Sequence, residues 1–153
     1  MVPRSSRPSP QPAETWLDRK RAATRRLLHT CILVARIRLG LTFSSLAGVR
    51  RRLLPPGPFE APLDVGAVRI AARDVGRAAR LVPFASCLTQ AVAGQVLLAR
   101  RGIASDIQLG VRRGRKGRLK AHAWLICEGR IVLGGDPRAI RQFSPIARLG
   151  PAA

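Results

Sequence analysis

Residues 119–136, LKAHAWLICEGRIVLGGD, decide the fold. Apolar side chains occupy every second position of the first half, which predicts a strand with one face turned to a core. One face holds Leu119, Ala121, Ala123, Leu125 and Cys127; the other holds Lys120, His122, Trp124 and Ile126. Glu128-Gly129 is a tight-turn signal and residues 131–133 form the next strand, so this stretch predicts an antiparallel hairpin.

The sequence before this hairpin changes from a helical period to a strand period. Residues 107–111 alternate between apolar and other side chains and predict a first strand, which a basic, glycine-containing turn over residues 112–118 joins to the hairpin. Ser86 is a good N-cap for a helix that runs from Cys87 to about residue 101. Gly102 suits the left-handed position that follows such a helix.

Further helices precede this one. Asp64 can cap a helix that Pro83 ends, an earlier helix begins near Glu14 and stops at Gly40, and a short helix covers residues 46–53. After the hairpin, Asp136-Pro137 can open a last short helix. Helices followed by an antiparallel meander predict an α+β fold, with a helix and a small antiparallel sheet at its centre.

The chain divides into three regions by composition. Residues 1–13 are rich in Pro, Ser and Arg and predict a disordered tail. Residues 14–63 form an N-terminal helical region, which ends in the helix-breaking run Pro55-Pro56-Gly57-Pro58. Residues 64–153 form the core domain. A length of 153 residues favours one compact domain over two.

The chain carries a formal charge of +20, which attracts anionic partners. Nucleic acid, an anionic membrane surface and an acidic polypeptide all fit that charge. Aromatic residues make up only 4 %, which weakens a role in stacking single-stranded bases and argues against a specific nucleic-acid partner. The basic residues around 112–120 are either a solvated loop or a landing site for an anion, and peripheral membrane contact stays open.

The cysteines and apolar runs indicate the compartment. Cys31, Cys87 and Cys127 are odd in number and widely spaced, so they form neither a disulfide framework nor a zinc signature. The apolar run at residues 27–35 is too short to span a bilayer, and no cleavable signal is evident. A reduced, cytoplasmic chain without metal or cofactor is the simplest interpretation.

Cys87 stands where a nucleophile would be useful. The unpaired N–H groups and the dipole at a helix N-terminus favour a thiolate and can hold a developing oxyanion. The alternative is a small buried hydrophobic residue, as most free cysteines are.

His122 could supply the base that a nucleophilic cysteine needs, or could be an ordinary strand histidine. His29, on the first helix, is interpreted as a surface or packing residue. If Glu128-Gly129 is a two-residue turn, Cys127 pairs with Arg130 and His122 lies opposite residue 135. A longer turn moves that partner to Gly134 or Asp136, and facing side chains lie about 5 Å apart. Asp136 is therefore either the group that orients the imidazole or simply a helix cap.

Taken together, these motifs resemble a known family. The motifs are Cys87-Leu88-Thr89-Gln90, Arg100-Arg101-Gly102-Ile103, Gly110-Val111-Arg112, Ala121-His122-Ala123-Trp124, Glu128-Gly129-Arg130-Ile131-Val132-Leu133 and Gly134-Gly135-Asp136-Pro137. Over residues 64–149 the chain resembles the lasso-peptide B proteins, which are transglutaminase-like, papain-related cysteine peptidases. The order of the Cys-helix, the His-Ala-Trp strand and the following Asp is more specific than any one motif.

The resemblance implies a catalytic triad of Cys87, His122 and Asp136, with Trp124 as a wall of the substrate site or, alternatively, a core residue. It implies removal of the leader from a ribosomally made lasso precursor peptide, with a separate lasso cyclase closing the ring. Residues 1–63 do not look like the leader-recognition domain that many B proteins carry. The resemblance therefore implies a separate leader-recognition protein as partner. The alternatives are a transglutaminase-like acyl transferase and a non-enzymatic basic module that binds nucleic acid or an anionic membrane.

Overall fold

The computed structural model describes residues 15–114 and 117–151. The predicted tail, and Arg115 and Lys116 of the basic turn, lie outside the described residues. The helices are α1 (Trp16–Phe43), α2 (Leu46–Leu53), α3 (Val65–Leu81), α4 (Cys87–Ala99) and α5 (Pro137–Ile140). The strands are β1 (Asp106–Arg113), β2 (Leu119–Cys127), β3 (Arg130–Leu133) and β4 (Ser144–Leu149).

The long helix α1 passes through the predicted stop at Gly40, so that prediction was wrong. A Cβ on Gly40 would lie 3.0 Å from Cγ2 of Val49, which shows that this glycine lets α2 approach α1 closely. The inner face of α1 buries Leu33, Val34 and Ile37. Trp16, the first residue of α1, is 60 % exposed, and the Lys20 ammonium lies 3.9 Å above its ring.

The predicted caps of α3 and α4 are confirmed. Oδ1 of Asp64 accepts from the Ala67 N–H at 3.0 Å, and Oγ of Ser86 accepts from the Thr89 N–H at 3.2 Å. Gly102 follows α4 with φ +70°, as the left-handed position requires. Helix α4 is central: side chains on every side of it are buried, so it forms the axis of the core.

The sheet has strand order β3-β2-β1-β4, and every neighbouring pair is antiparallel. Cys127 pairs with Arg130 across a turn in which Glu128 and Gly129 both have positive φ, as the hairpin prediction requires. The pairing then slips by one residue, so that Leu125 lies opposite Leu133. Strand β4 was not predicted; it returns to pair with β1 at the far edge.

Helix α4 runs alongside β2 in the same direction. Its C-terminal end leads through residues 100–105 into β1, whose first residue pairs with Ile126 near the end of β2. Buried Gln95 fixes this alignment, because its Nε2 donates to the Ser105 carbonyl at 2.9 Å and to the Leu149 carbonyl at 3.1 Å. The N-terminus of α4 therefore lies toward the beginning of β2.

The described elements confirm an α+β fold of helices and a small antiparallel sheet. Helices α1 and α2 add Val34, Ile37 and Val49 to the same buried cluster as α3, α4 and the sheet. The division into regions at residue 64 stays a prediction. In the described part of the chain, no helix is long and apolar enough to cross a membrane.

Candidate active site

Cys87 is the first residue of α4 and is half-buried. The Thr89 N–H is taken by Oγ of Ser86, and the Gln90 N–H by the Ser86 carbonyl at 3.0 Å. Within the described residues, the N–H groups of Cys87 and Leu88 have no protein acceptor. Both amides lie at the positive end of the helix dipole, so they can stabilise a thiolate or an oxyanion.

The fold brings Cys87 and His122 to the same end of the helix–sheet pair. A Cβ on Gly94 would lie 2.8 Å from Cδ2 of Leu125, which marks where α4 touches β2. Cys87 precedes Gly94 by seven helical residues, or about 10 Å. His122 precedes Leu125 by three strand residues, also about 10 Å, and both displacements run in the same direction. Leu125 and His122 lie on opposite faces of β2, and within the described residues no hydrogen bond joins Cys87 to His122.

The imidazole of His122 is oriented by a backbone carbonyl. Its Nε2 lies 2.6 Å from the carbonyl oxygen of Gly134. Because a carbonyl oxygen can only accept, Nε2 carries the proton, and Nδ1 of the neutral ring keeps its lone pair. Nδ1 is thus the nitrogen able to take a proton from a thiol.

Aromatic rings hold His122 in place. Trp124 lies two residues further along β2, its ring centroid 6.0 Å from that of His122 at an interplanar angle of 27°. Phe143, just before β4, lies on the same ring at a centroid distance of 5.2 Å. Trp124 is only 4 % exposed, so the structure shows it as packing beside His122, and its expected contact with substrate stays a prediction.

Two glycines make room for these rings. A Cβ on Gly110, the strand partner of His122, would lie 2.7 Å from Cη2 of Trp124 and 3.1 Å from Cβ of Phe143. A Cβ on Gly134 would lie 2.7 Å from Cα of Trp124. Side chains at either position would displace the tryptophan and, with it, the imidazole.

Asp136 directly follows Gly134 and Gly135, and within the described residues it makes no hydrogen bond to His122. Its Oδ1 accepts from the Arg138 N–H at 2.9 Å and caps α5, with Pro137 at the first helical position. The predicted cap is thus present, while the predicted contact with the imidazole is supplied by the Gly134 carbonyl. Sequence reasoning missed this carbonyl and Phe143; the paired glycines before Asp136 were the only signal for the former.

The remaining thiols differ from Cys87. Cys127 is buried at the end of β2, and burial, with smaller effects from Asp106 and Glu128, raises its pKa to about 11. Cys31 is half-buried within α1. No three His, Cys, Asp or Glu side chains of the described residues are grouped as metal ligands.

The profile of the transglutaminase-like superfamily matches residues 31–148, more than half of the chain. The chain therefore belongs to the transglutaminase-like superfamily, which includes cysteine peptidases and acyltransferases. No curated protein gives a significant match. No solved structure gives one either.

Proposed function

We propose that this chain is a cysteine peptidase that removes the leader from a ribosomally made lasso-peptide precursor. The observation that carries the proposal is that Cys87 begins the buried helix α4 at the end of the sheet that also holds His122, whose Nε2 is bonded to the Gly134 carbonyl. A thiol at a helix N-terminus and an imidazole with one nitrogen free to accept a proton are the two groups that nucleophilic acyl chemistry needs.

The reaction proceeds in two steps. Nδ1 of His122 takes the Cys87 thiol proton as the thiolate attacks the carbonyl carbon at the leader–core junction, and the Cys87 and Leu88 amides hold the oxyanion. The C–N bond breaks, His122 gives its proton to the leaving amine, and an acyl-enzyme remains. Water, deprotonated by His122, then attacks the thioester, which releases the carboxylate of the leader and restores the thiol.

The lasso assignment rests on the order of motifs, from the Cys-helix through the His-Ala-Trp strand to Gly-Gly-Asp-Pro at residues 134–137. Within the described residues, α1 and α2 contribute Val34, Ile37 and Val49 to the common core, and the resemblance implies that leader recognition lies on another protein. The proposal therefore includes a separate leader-recognition protein that presents the precursor, and a lasso cyclase that uses the freed core peptide.

Mass spectrometry of a lasso precursor, incubated with its leader-recognition protein and this chain, tests the proposal. Wild type should release the leader; Cys87→Ala should release none; Cys31→Ala, which removes a half-buried thiol from α1, should stay near wild type. His122→Ala should lower cleavage by about 10²-fold or more, as loss of a general base does. Cleavage that persists in Cys87→Ala would contradict a thiol mechanism.

An added primary amine separates hydrolysis from acyl transfer, the other chemistry of this superfamily. Hydrolysis gives a leader fragment that ends in a carboxylate, whereas transfer gives the amide of the amine, and the two differ in mass. A product that carries mainly the amine would reassign the chain as an acyl transferase with the same nucleophile.

A further inference from the structure

Two adjoining cavities lie between α1 and the C-terminal end of α4, with α3 closing one side. They measure ≈ 190 Å³ and ≈ 180 Å³ and share His29 and Arg100. We call them together the basic groove, and define it by Arg26, His29, Ile32, Arg36, Arg100 and Arg101. This groove lies at the opposite end of α4 from Cys87.

The groove has an excess of positive charge that the fold does not neutralise. Asp74, 5 % exposed, is the one acidic residue among its lining groups, and it lies 3.6 Å from Nε of Arg26 and 3.9 Å from Nε of Arg73. Within the described residues, Arg36, Arg100 and Arg101 make no salt bridge. Three guanidinium groups are therefore available to carboxylates of a ligand.

The walls between the arginines are aliphatic. Ile70 and Leu97 line the first cavity, and Ile32 and Leu33 line the second. Ile32, a large apolar side chain in the wall of the second cavity, is 49 % exposed. A ligand that covers it must bring apolar groups of its own, which phosphate or a nucleic-acid backbone does not.

We propose that the basic groove binds a segment of the peptide substrate that turns both carboxylate and aliphatic side chains toward the groove. Each cavity is smaller than the ~300 Å³ at which small-molecule pockets begin, so single side chains of an extended peptide suit them better than a cofactor does. Arginines and aliphatic side chains line the same groove, so a matching peptide must carry both kinds of side chain on one face. The assignment of the ligand as substrate rests on the proposed peptidase function.

The position of the groove sets a spacing. Helix α4 has 13 residues and spans about 20 Å between Cys87 and the groove. An extended peptide covers about 3.3 Å per residue, so at least about six residues must separate the acidic segment from the bond that Cys87 attacks. The groove then acts as a docking site remote from the chemistry.

Binding is tested by fluorescence anisotropy on the full chain carrying Cys87→Ala, so that no cleavage intervenes. The probe, called the Glu-Leu peptide, is a fluorescein-labelled repeat of Glu-Glu-Leu-Leu, which places both residue types on each face of an extended chain. Its controls are repeats of Glu-Glu-Ser-Ser (the Glu-Ser peptide) and Lys-Lys-Leu-Leu (the Lys-Leu peptide) of equal length. The double variant Arg36→Gln with Arg100→Gln is compared with Arg51→Gln and Arg130→Gln, two exposed arginines outside the groove. Both double variants lose the same charge.

The groove variant should weaken binding of the Glu-Leu peptide about tenfold or more, because it removes two guanidinium groups that form charge-assisted hydrogen bonds to carboxylates. The control variant should change affinity less than about twofold. Equal losses in both variants, or Glu-Ser bound as tightly as Glu-Leu, would overturn the proposal in favour of general electrostatic attraction. Displacement of the peptide by a DNA duplex at equal charge concentration would instead assign the groove to nucleic acid.

These outcomes are independent of the peptidase test. If the chain binds the Glu-Leu peptide through the groove but cleaves no precursor, the docking site is supported and the proposed peptidase activity is wrong. If the chain cleaves precursor equally well with and without the groove arginines, at substrate concentrations below KM, the peptidase activity is supported and the docking site is wrong.

Discussion

Gly134 serves the site in two ways, of which the second requires glycine. Its carbonyl accepts the hydrogen bond from His122 Nε2, and its φ of +121° directs the chain past Trp124. Gly135, with φ +111°, shares the backbone conformation, but a Cβ there would meet nothing within 4 Å. Substitutions at Gly135 therefore report backbone strain alone, whereas substitutions at Gly134 report strain together with a steric clash.

We expect Gly134→Ala to destabilise the protein more than Gly135→Ala does. Strain at positive φ costs ~1–3 kcal/mol at either position. Only Gly134→Ala also drives a methyl group into Cα and Cβ of Trp124, so it should cost at least ~1–2 kcal/mol more. Urea denaturation followed by tryptophan fluorescence gives both values. Equal losses would show that the turn can move away from Trp124.

Asp136 caps α5 and is also the residue predicted to orient the His122 imidazole. Asn caps a helix as well as Asp does, so Asp136→Asn removes the negative charge and leaves the start of α5 intact. We propose that this carboxylate supports the His122 imidazolium during catalysis and expect Asp136→Asn to lower kcat by about 10²-fold or more, as in other triads. Glu128→Gln, in the β2–β3 turn, is the control. A change below about threefold would leave the orientation of His122 to the Gly134 carbonyl alone.

At the scale of the elements, Gln95 joins four parts of the fold. Its Oε1 accepts from Nε of Arg50 on α2 at 3.0 Å, while Nε2 donates to the Ser105 carbonyl before β1 and to the Leu149 carbonyl of β4. Burial of this contact lowers the pKa of Arg50 from its usual value. The amide is fully buried with its polar atoms satisfied, which fixes how far α4 lies along the sheet.

Gln95→Leu should destabilise the protein by ~2–4 kcal/mol, because two carbonyls and a guanidinium lose their buried partner at once. Gln90→Leu, nearer the start of the same helix and half-buried, should cost less than ~1 kcal/mol. Guanidinium denaturation of both variants gives the comparison. Equal stability of the two variants would mean that water replaces the Gln95 amide without cost.

The buried thiol of Cys127, at the end of β2, makes the free energy of unfolding depend on pH. Burial raises the pKa of Cys127 to about 11, above the ordinary thiol value of 9.0, so the folded state holds this proton more tightly than the unfolded chain does. The contribution is fully present below pH 9.0 and is lost as the pH rises to about 11, a change on the order of 2–3 kcal/mol at most.

Cys127→Ala should remove this dependence. Its free energy of unfolding should fall less than that of wild type between about pH 8 and about pH 11, measured in urea at both values. Cys31→Ala is the matched control for loss of a thiol, and should follow wild type. An unchanged slope in Cys127→Ala would place the alkaline loss on other groups.

Sequence patterns predicted most of these elements, and the failures have physical causes. Ser86, Asp64 and Asp136 were identifiable as caps because capping is local chemistry. The alternation around His122 gave the faces of β2 because one face is buried. Strand β4 escaped because it is a short edge strand with Pro145 in it, which weakens the strand signal. Hairpin geometry put residues 134–136 near His122, but it could not show that a backbone carbonyl rather than the Asp136 side chain bonds the imidazole, because that depends on the positive-φ path of the two glycines after β3.

At the scale of the whole molecule, the predicted boundary at residue 64 can be tested by truncation. We expect residues 64–153 alone not to fold stably, although they contain Cys87, His122 and Asp136. Removing α1 and α2 exposes the surface that Leu33, Val34, Ile37 and Val49 cover in the folded chain. Each of these side chains contributes ~1.5–3 kcal/mol by burial, and together they approach the ~5–15 kcal/mol of a typical domain.

The chain from residue 15 onward is the control, since it keeps α1 and α2 entire. Circular dichroism with thermal melting should show cooperative unfolding for this control and none for residues 64–153. Adding residues 15–63 as a separate peptide should restore a cooperative transition, because the missing surface is then supplied without a covalent link. A cooperative transition for residues 64–153 by themselves would establish the sheet, α3 and α4 as an independent domain. That result would show that the core folds without α1 and α2. The role left for α1 would then be the basic groove, to which it contributes Arg26, His29, Ile32 and Arg36.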